Sequence, residues 1–236
     1  MEKITAILLS AGTGSRMHTD IPKQYLDLCG RPVIAWSVEA LQKCPLIDDI
    51  ILVAGRDDID FCRERVISRY GFSKVTKIIP GGAERGESVL CGLEAADQDT
   101  TFVLIHDGAR PLIDQNSITR IIDAVRIYRA AVLAVPSTDT VKVVDSEEMV
   151  VSTPDRKTLR MMQTPQAFAY PMILRAYQSV KSIGVAVTDD AMAAEHIGMK
   201  VKVVEGSRRN IKITLPEDLM IAELMMNCRA GNGEAT

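Results

Sequence analysis

The sequence lacks a long apolar run, a paired cysteine motif and an excess of charge of one sign. No stretch approaches the roughly 18 continuous apolar residues of a membrane helix, so no membrane span is expected. The five cysteines are scattered without a CxxC pair, which argues against zinc and disulfides and indicates reduced thiols in a cytoplasmic protein. The net charge of −3 argues against a general nucleic-acid binder, which would usually be strongly basic. Any anion-binding site must therefore be local.

What the sequence does contain is an alternation of short apolar runs and helical patterns along 236 residues. Continuous apolar runs are typical of strands buried on both faces, and they occur at 4–11, 49–55, 75–80, 101–107 and 130–136. Helical patterns lie between them at 32–44, 58–71, 85–96 and 114–129, with Gly71 ending one and Asp114 capping another. This order predicts an α/β fold with a doubly wound, mostly parallel sheet in a single domain over residues 1–228.

The alternation breaks between residues 137 and 164, where two short β-rich runs flank the polar turn at 145–148. This pattern predicts a β-hairpin arm over about 137–160 that projects from the domain. The earlier pattern resumes with a helix over 188–198, strands over 201–206 and 210–213, and a closing helix over 216–226. Residues 229–236 are expected to form a flexible tail.

The loop after the first strand, LLSAGTGSRMHTDIPKQYL at 8–26, combines glycines with two cations, Arg16 and Lys23. The dinucleotide pattern GxGxxG fails because Met17 stands at its third glycine. Glycines let backbone N–H groups surround phosphate oxygens, and the cations would face a phosphoryl group as it gains charge. The alternative is a plain turn with solvated cations, but an ordered polar loop of about 12 residues is uncommon without a function.

Other loops at carboxyl ends of predicted strands carry reactive residue types. Asp107 in HDGARP suits Mg²⁺, which prefers oxygen ligands and phosphates, although a helix cap is an alternative role; Arg110 could pair with a substrate anion. In IPGGAERGESV, Gly82 and Ser88 could contact a base or simply form a tight turn. Lys212 lies in the apolar run NIKI, where a charge is costly unless it is paired or faces a ligand.

Seven motifs in order, AGTGSRM…PKQYL, GGAERGESV, HDGARP, DTVK, TPQ, TDDA and NIKIT, resemble those of the 2-C-methyl-D-erythritol 4-phosphate cytidylyltransferase family of non-mevalonate isoprenoid synthesis. The resemblance covers residues 3 to 226 and implies a Rossmann-like nucleotidyltransferase. Its reaction would join CTP and the erythritol phosphate, with Mg²⁺, to give the CDP-linked alcohol and pyrophosphate. It also implies a homodimer in which the β-arm swaps between protomers.

The resemblance assigns a role to each matching residue. Arg16 and Lys23 would stabilise the α-phosphate, while Lys212 and Arg156 would orient the incoming phosphate. The nucleotide would be bound by Ser10, Ala11, Gly12, Gly14, Gly82, Ala83 and Ser88. The sugar-phosphate pocket would be lined by Asp107, Arg110, Thr140, Thr164 and Thr188, with Asp107 also holding the metal. Through the swapped arm, Thr140 and Arg156 would serve the partner's site.

Some positions depart from the family pattern, and other functions remain open. Ala83 stands where an acidic residue is common, so a side-chain role there is lost, whereas main-chain recognition of the base is still possible. Arg209 also stands at an often acidic position, which argues against a second protein carboxylate for the metal. The nearest rival is a ribitol 5-phosphate or other alditol-phosphate cytidylyltransferase. An NAD-dependent oxidoreductase is disfavoured by Met17 and by Gly55–Arg56, where an acidic residue would be needed. A non-catalytic nucleotide-binding module would not need both Arg16 and Lys23.

Overall fold

The computed structural model describes residues 2–12 and 21–231. The strands are β1 (Ile4–Ser10), β2 (Asp27–Leu28), β3 (Arg31–Pro32), β4 (Asp49–Ala54), β5 (Val75–Pro80), β6 (Phe102–Asp107), β7 (Ala130–Pro136), β8 (Val143–Val144), β9 (Val150–Ser152), β10 (Arg160–Ala169) and β11 (Lys202–Glu205). The helices are α1 (Val33–Lys43), α2 (Ile59–Phe61, continued by a π-helix over Cys62–Ser68), α3 (Arg85–Ala95), α4 (Gln115–Tyr128), α5 (Tyr170–Ser182), α6 (Asp190–His196) and α7 (Pro216–Gly231). A 3₁₀ turn covers Lys23–Tyr25.

Seven of the strands in the described part of the chain form one central sheet, in the order β11-β7-β10-β6-β1-β4-β5. All of them run parallel except β10, which pairs antiparallel with both β6 and β7. The five strands predicted from continuous apolar runs are β1, β4, β5, β6 and β7. The prediction of a mostly parallel sheet is therefore confirmed.

Helices cover both faces of this sheet. Successive residues of a strand point to opposite sides, so the continuous apolar strands give the sheet two apolar faces. Leu8 and its neighbours in β4 and β6 pack with α1 and α4 on one face, whereas Ile7 packs with α3 and α5 on the other. Both side chains are fully buried, and each such burial contributes about 1.5–3 kcal/mol. The two apolar layers account for the doubly wound architecture.

The boundaries of the early helices follow the predicted signals. Asp114 caps α4, accepting a hydrogen bond from the backbone N–H of Ser117, and Gly71 has the positive φ of 66° expected after a helix. Helix α1 begins one residue later than predicted, at Val33, since Pro32 belongs to β3. Local sequence signals therefore set the boundaries of these helices to within about one residue.

Three segments differ from the sequence-based expectation. The ten-residue strand β10 and helix α5 occupy a region in which no such elements were predicted. The predicted strand at 210–213 is irregular backbone, held by a hydrogen bond from the N–H of Ile213 to the carbonyl of Ala109. Helix α7 runs to Gly231, three residues into the predicted tail.

The predicted arm is present as the two-stranded hairpin of β8 and β9. Its turn includes Glu148, which has a φ of 62°, and its apolar residues Met149, Val150 and Val151 are all at least 60% exposed. An apolar surface of this kind is typical of an interaction site. In the described ranges, no helix is both long and apolar enough to cross a membrane.

Candidate active site

A pocket of about 180 Å³ opens at the carboxyl ends of β1 and β6, beside the loop that follows β5. In parallel α/β sheets this edge is where ligands bind. The predicted residues that line it are Ser10, Ala11, Gly12, Lys23, Gly82, Ala83, Ser88, Asp107 and Lys212. Arg16 and Gly14 lie outside the described residues. Side chains from the beginning, middle and end of the chain therefore meet in one place.

Asp107, the last residue of β6, is held between two cations in this pocket. Lys212 Nζ lies 2.7 Å from Asp107 Oδ2, and Arg85 Nε lies 3.2 Å from Oδ1. Burial alone would raise the pKa of Asp107, but Arg85 and Lys212 outweigh it and hold this pKa well below its usual range. Asp107 is therefore ionised, and the expectation that Lys212 must be paired or face a ligand is met by this carboxylate.

Arg85, which the sequence analysis did not assign to the site, connects the pocket to a second buried carboxylate. Its guanidinium forms two hydrogen bonds to Asp190, of 2.8 and 2.9 Å, and Asp190 also accepts one from the hydroxyl of Tyr177. Asp190 is fully buried, and its partner lies 105 residues away in sequence. Burial opposes the charge of Arg85, but Asp190 and Asp107 raise its pKa above the ordinary arginine value. The motif TDDA contained Asp190, yet no local signal identified its partner.

Behind Asp107 a hydrogen-bonded chain fixes the end of β6. The backbone N–H of Asp107 donates to Thr164 Oγ1 at 3.0 Å, and that hydroxyl lies 3.0 Å from His106 Nδ1. His106 Nε2 lies 3.3 Å from the carbonyl of Arg110. Burial lowers the pKa of His106 to about 4, so the ring is neutral, and the chain requires its Nε2–H tautomer. His106 therefore has a structural role behind the pocket.

Thr164 takes a different place from the one implied by the family resemblance. It is buried and does not line the pocket; its hydroxyl supports Asp107 from behind. Arg110 also lies behind the pocket wall, where its Nη1 donates to the carbonyl of Asn210 at 2.7 Å. Burial lowers the pKa of Arg110, while Asp107 opposes this effect. Both residues hold pocket loops in place in this structure.

The loop between β5 and α3 owes its shape to two glycines and the first turn of the helix. A Cβ on Gly81 would come within 2.5 Å of Ala11, and one on Gly82 within 2.3 Å of Glu87. Ser88 Oγ accepts from the N–H of Gly82 at 3.2 Å, and the N–H of Ala83 donates to Glu87 at 2.7 Å. Glu84 and Glu87 form a capping box at the start of α3, so this segment is the tight turn considered above. The loop thus lies close against β1 and forms one wall of the pocket.

The remaining predicted residues lie away from this pocket in the single chain. Thr140 is exposed in the arm, and Arg156 Nη1 donates to the carbonyl of Thr138 at 3.0 Å. Thr188 is exposed ahead of α6, where its hydroxyl contacts Met192 Sδ. Arg209 donates to the carbonyl of Met225 in α7. The structure therefore brings nine of the predicted residues together in the pocket, whereas Thr140, Arg156 and Thr188 do not line it.

The donor set of the pocket limits how a metal could be held. No group of three or more metal-ligating side chains occurs within the part of the chain that is described. Asp107 offers one buried carboxylate, and each of its oxygens keeps further lone pairs besides those facing Lys212 and Arg85. Mg²⁺ is commonly bound by one or two carboxylates together with substrate phosphates. These residues fit a magnesium ion that takes most of its ligands from a bound nucleotide.

A doubly wound sheet with lysines and an ion-paired aspartate at the carboxyl ends of its strands is typical of an enzyme that transfers phosphate-linked groups. Comparison with known proteins narrows this class. The profile described as IspD, 2-C-methyl-D-erythritol 4-phosphate cytidylyltransferase, matches residues 4–228. The chain belongs to the 2-C-methyl-D-erythritol 4-phosphate cytidylyltransferase family.

Individual relatives agree with this assignment. The chain is 44% identical over 229 residues to the 2-C-methyl-D-erythritol 4-phosphate cytidylyltransferase of Desulforamulus reducens, covering 97% of this chain and 98% of the relative. It is 45% identical over 228 residues to that of Lachnoclostridium phytofermentans, covering 96% and 97%. The crystal structure of 4-diphosphocytidyl-2C-methyl-D-erythritol synthase from Anaerococcus prevotii is similar with a TM-score of 0.85 at 33% identity, covering 96% and 99%.

Proposed function

We propose that this protein is a cytidylyltransferase that joins CTP and 2-C-methyl-D-erythritol 4-phosphate, giving 4-diphosphocytidyl-2-C-methyl-D-erythritol and pyrophosphate. The observation that carries the proposal is the meeting of Lys23 and Lys212, 189 positions apart in sequence, on the wall of one pocket beside Asp107. Their convergence suits a reaction in which negative charge accumulates at one point. Family membership over nearly the whole chain supports the choice of substrates.

In this reaction a phosphate oxygen of the erythritol phosphate attacks the α-phosphorus of CTP. The bond from that phosphorus to the oxygen of the β-phosphate breaks, and pyrophosphate leaves. The protein has little covalent chemistry to perform, so positioning and charge stabilisation dominate. Lys23 is assigned to the α-phosphate and Lys212 to the incoming phosphate; Arg16, outside the described residues, is assigned the same role as Lys23. One such donor is worth about 10²- to 10³-fold in rate.

Magnesium is part of the proposal, with Asp107 as its ligand from the protein. The ion would neutralise charge on the nucleotide phosphates. Lys212 and Arg85 keep the Asp107 carboxylate ionised, as a metal ligand must be. Removal of divalent cations by a chelator should abolish turnover, and added Mg²⁺ should restore it.

A homodimer joined through the β-arm is also proposed. The arm exposes Met149, Val150 and Val151, which a second copy of the chain could cover. Thr140 and Arg156 lie in this arm and do not line the pocket of their own chain. In a dimer with swapped arms, they would contribute to the pocket of the partner chain. A cytoplasmic location is proposed as well, and Cys29, Cys44, Cys62 and Cys91 are free thiols.

The test is pyrophosphate release by purified protein with CTP and Mg²⁺, offered 2-C-methyl-D-erythritol 4-phosphate or ribitol 5-phosphate in parallel. Release with the erythritol substrate alone is expected. Lys212→Met should lower kcat/KM by about 10²-fold, since it removes one charge donor. Lys43→Met is the matched control, because Lys43 lies on α1 with 65% of its side chain exposed. Equal use of ribitol 5-phosphate, or no release with either substrate, would refute the proposal.

A further inference from the structure

Gln24, which the roles assigned above leave unexplained, is buried directly beside Lys23. Only 3% of it is exposed, although it lies on the wall of the pocket. Its side-chain amide Nε2 donates to the carbonyl of Ser10 at 2.8 Å and to the carbonyl of Gly12 at 2.9 Å. A side-chain amide has two N–H hydrogens, and both are used in these bonds.

These two bonds join the places where the chain enters and leaves the segment 13–20. Ser10 is the last residue of β1, Gly12 follows it by two positions, and Lys23 and Gln24 share the 3₁₀ turn beyond the segment. One side chain thus ties the end of β1 to the turn that carries a proposed catalytic lysine. A displacement of either side would break at least one of the bonds.

The two bonds also fix peptide orientation. In a trans peptide the C=O and the following N–H point in opposite directions, so holding the Ser10 carbonyl on Gln24 directs the N–H of Ala11 away from it. The two carbonyl oxygens carry partial negative charge, and their bonds to Gln24 reduce their repulsion toward an anion in the same pocket. Backbone donors and Lys23 then dominate the local field.

The turn itself has further support on its other side. The N–H of Tyr25 donates to the carbonyl of Pro22 at 2.8 Å. The ring of Tyr25 packs on Phe61 with 4.8 Å between centroids, and its hydroxyl lies 3.3 Å from Cys62 Sγ. Gln24 therefore projects from a turn that the π-helical end of α2 holds in place, so it has a defined position from which to act.

We propose that Gln24 is a positioning residue for nucleotide binding: it sets the backbone of Ser10–Gly12 and the turn of Lys23 in the arrangement that binds a nucleoside triphosphate. This inference rests on the proposed function and adds a residue to it. Gln24 touches no reacting atom; it acts through the two carbonyl groups and through Lys23. Its loss should therefore lower kcat/KM for CTP and leave the KM for the acceptor alcohol phosphate nearly unchanged.

Two variants of similar size separate positioning from mere packing. In Gln24→Met no bond to the carbonyl groups remains, so kcat/KM for CTP should fall about 10-fold at every pH. In Gln24→Glu a carboxylate would face two carbonyl oxygens, so the fall should reach about 100-fold at pH 8.5. Burial raises the pKa of such a carboxyl group, and its protonated form has one O–H to donate. The activity of Gln24→Glu relative to wild type should therefore rise about 10-fold as the pH falls from about 8.5 to about 6.

The measurements are KM and kcat for CTP and for the erythritol phosphate across this pH range, with unfolding by urea as a test of folding. Gln115→Glu is the matched control, because Gln115 also donates to a backbone carbonyl, that of Ala40, but on the exposed surface away from the pocket. It should behave like wild type at every pH. The KM for the erythritol phosphate should stay within about twofold in all variants.

Calorimetric titration with CTP and Mg²⁺ runs in parallel and separates the two proposals. An inactive wild type would count against the transferase, while the ratio of CTP dissociation constants would still test Gln24. A pH-independent Gln24→Glu, or CTP parameters within about twofold of wild type in both variants, would overturn the positioning role. So would the loss of cooperative unfolding in both variants, because Gln24 would then serve the core rather than the loop.

Discussion

Replacement of His106 should change how the stability of the protein depends on pH. The ring is fully buried between Thr164 and the carbonyl of Arg110. Burial lowers its pKa from 6.5 to about 4; the nearby charge of Asp107 opposes this and that of Arg110 adds to it. His106→Gln keeps a donor and an acceptor but removes the titrating group.

The expected magnitude follows from the two pKa values. Between pH 6.5 and about 4 the unfolded chain binds a proton at this histidine and the folded chain does not. The free energy of unfolding therefore falls as the pH falls through this interval. At 1.36 kcal/mol for each pH unit, the contribution lost by pH 4 is about 3 kcal/mol.

Urea unfolding of wild type and His106→Gln at a series of pH values from 7 to 4 measures this effect. The unfolding free energy of wild type minus that of His106→Gln should decrease by about 3 kcal/mol from pH 7 to pH 4. The carboxylates common to both proteins cancel in this difference. His196→Gln provides the control, since it makes the same exchange at an exposed position on α6. A constant difference between wild type and His106→Gln would show that the buried ring does not resist protonation.

Three further outcomes are expected. Lys23→Ala should lower kcat by about 10²-fold while CTP still binds, and near-normal turnover would refute its role. Arg156→Ala and Lys23→Ala should each be nearly inactive alone. If the arms swap, a mixture of the two variants should recover up to about a quarter of wild-type activity, because half of the dimers contain one chain of each kind and each such dimer has one intact site. No recovery would count against the swap. Asp190→Asn should lower the unfolding free energy by about 3 kcal/mol, because it removes the buried charge that pairs with Arg85. Asp60→Asn, which breaks an exposed ion pair with Arg63, should lower it by less than about 1 kcal/mol. Equal losses in urea unfolding would contradict this reasoning.

Strands β1, β4, β6 and β7 could be predicted because each is buried on both faces and so forms an uninterrupted apolar run. Strand β10 could not, because its sequence contains Pro165, and proline within a run argues against a central strand. The structure accommodates it where the pairing of β10 with β7 shifts register, between Met162 and Gln166. The ladder hydrogen bond that proline cannot donate is not needed at that point.

The residues of the candidate site also divide into those that could be predicted from the sequence and those that could not. Lys212 could be identified from its own position, because a charge in an apolar run needs a partner. Arg85 and Gln24 could not, since their partners are a carboxylate 105 residues distant and two backbone carbonyls. Contacts of this kind arise only when segments that are separate in sequence meet in the folded chain. The NIKI segment was misjudged as a strand because its apolar residues fill the core from an irregular backbone.

Strand β10 begins among the exposed residues at the base of the arm and continues past Thr164 into the centre of the sheet, bonded along both edges. The arm is therefore continuous with the strand whose Thr164 hydroxyl accepts a hydrogen bond from the backbone N–H of Asp107. A displacement of the arm is therefore transmitted along β10 to the strand end that carries Asp107.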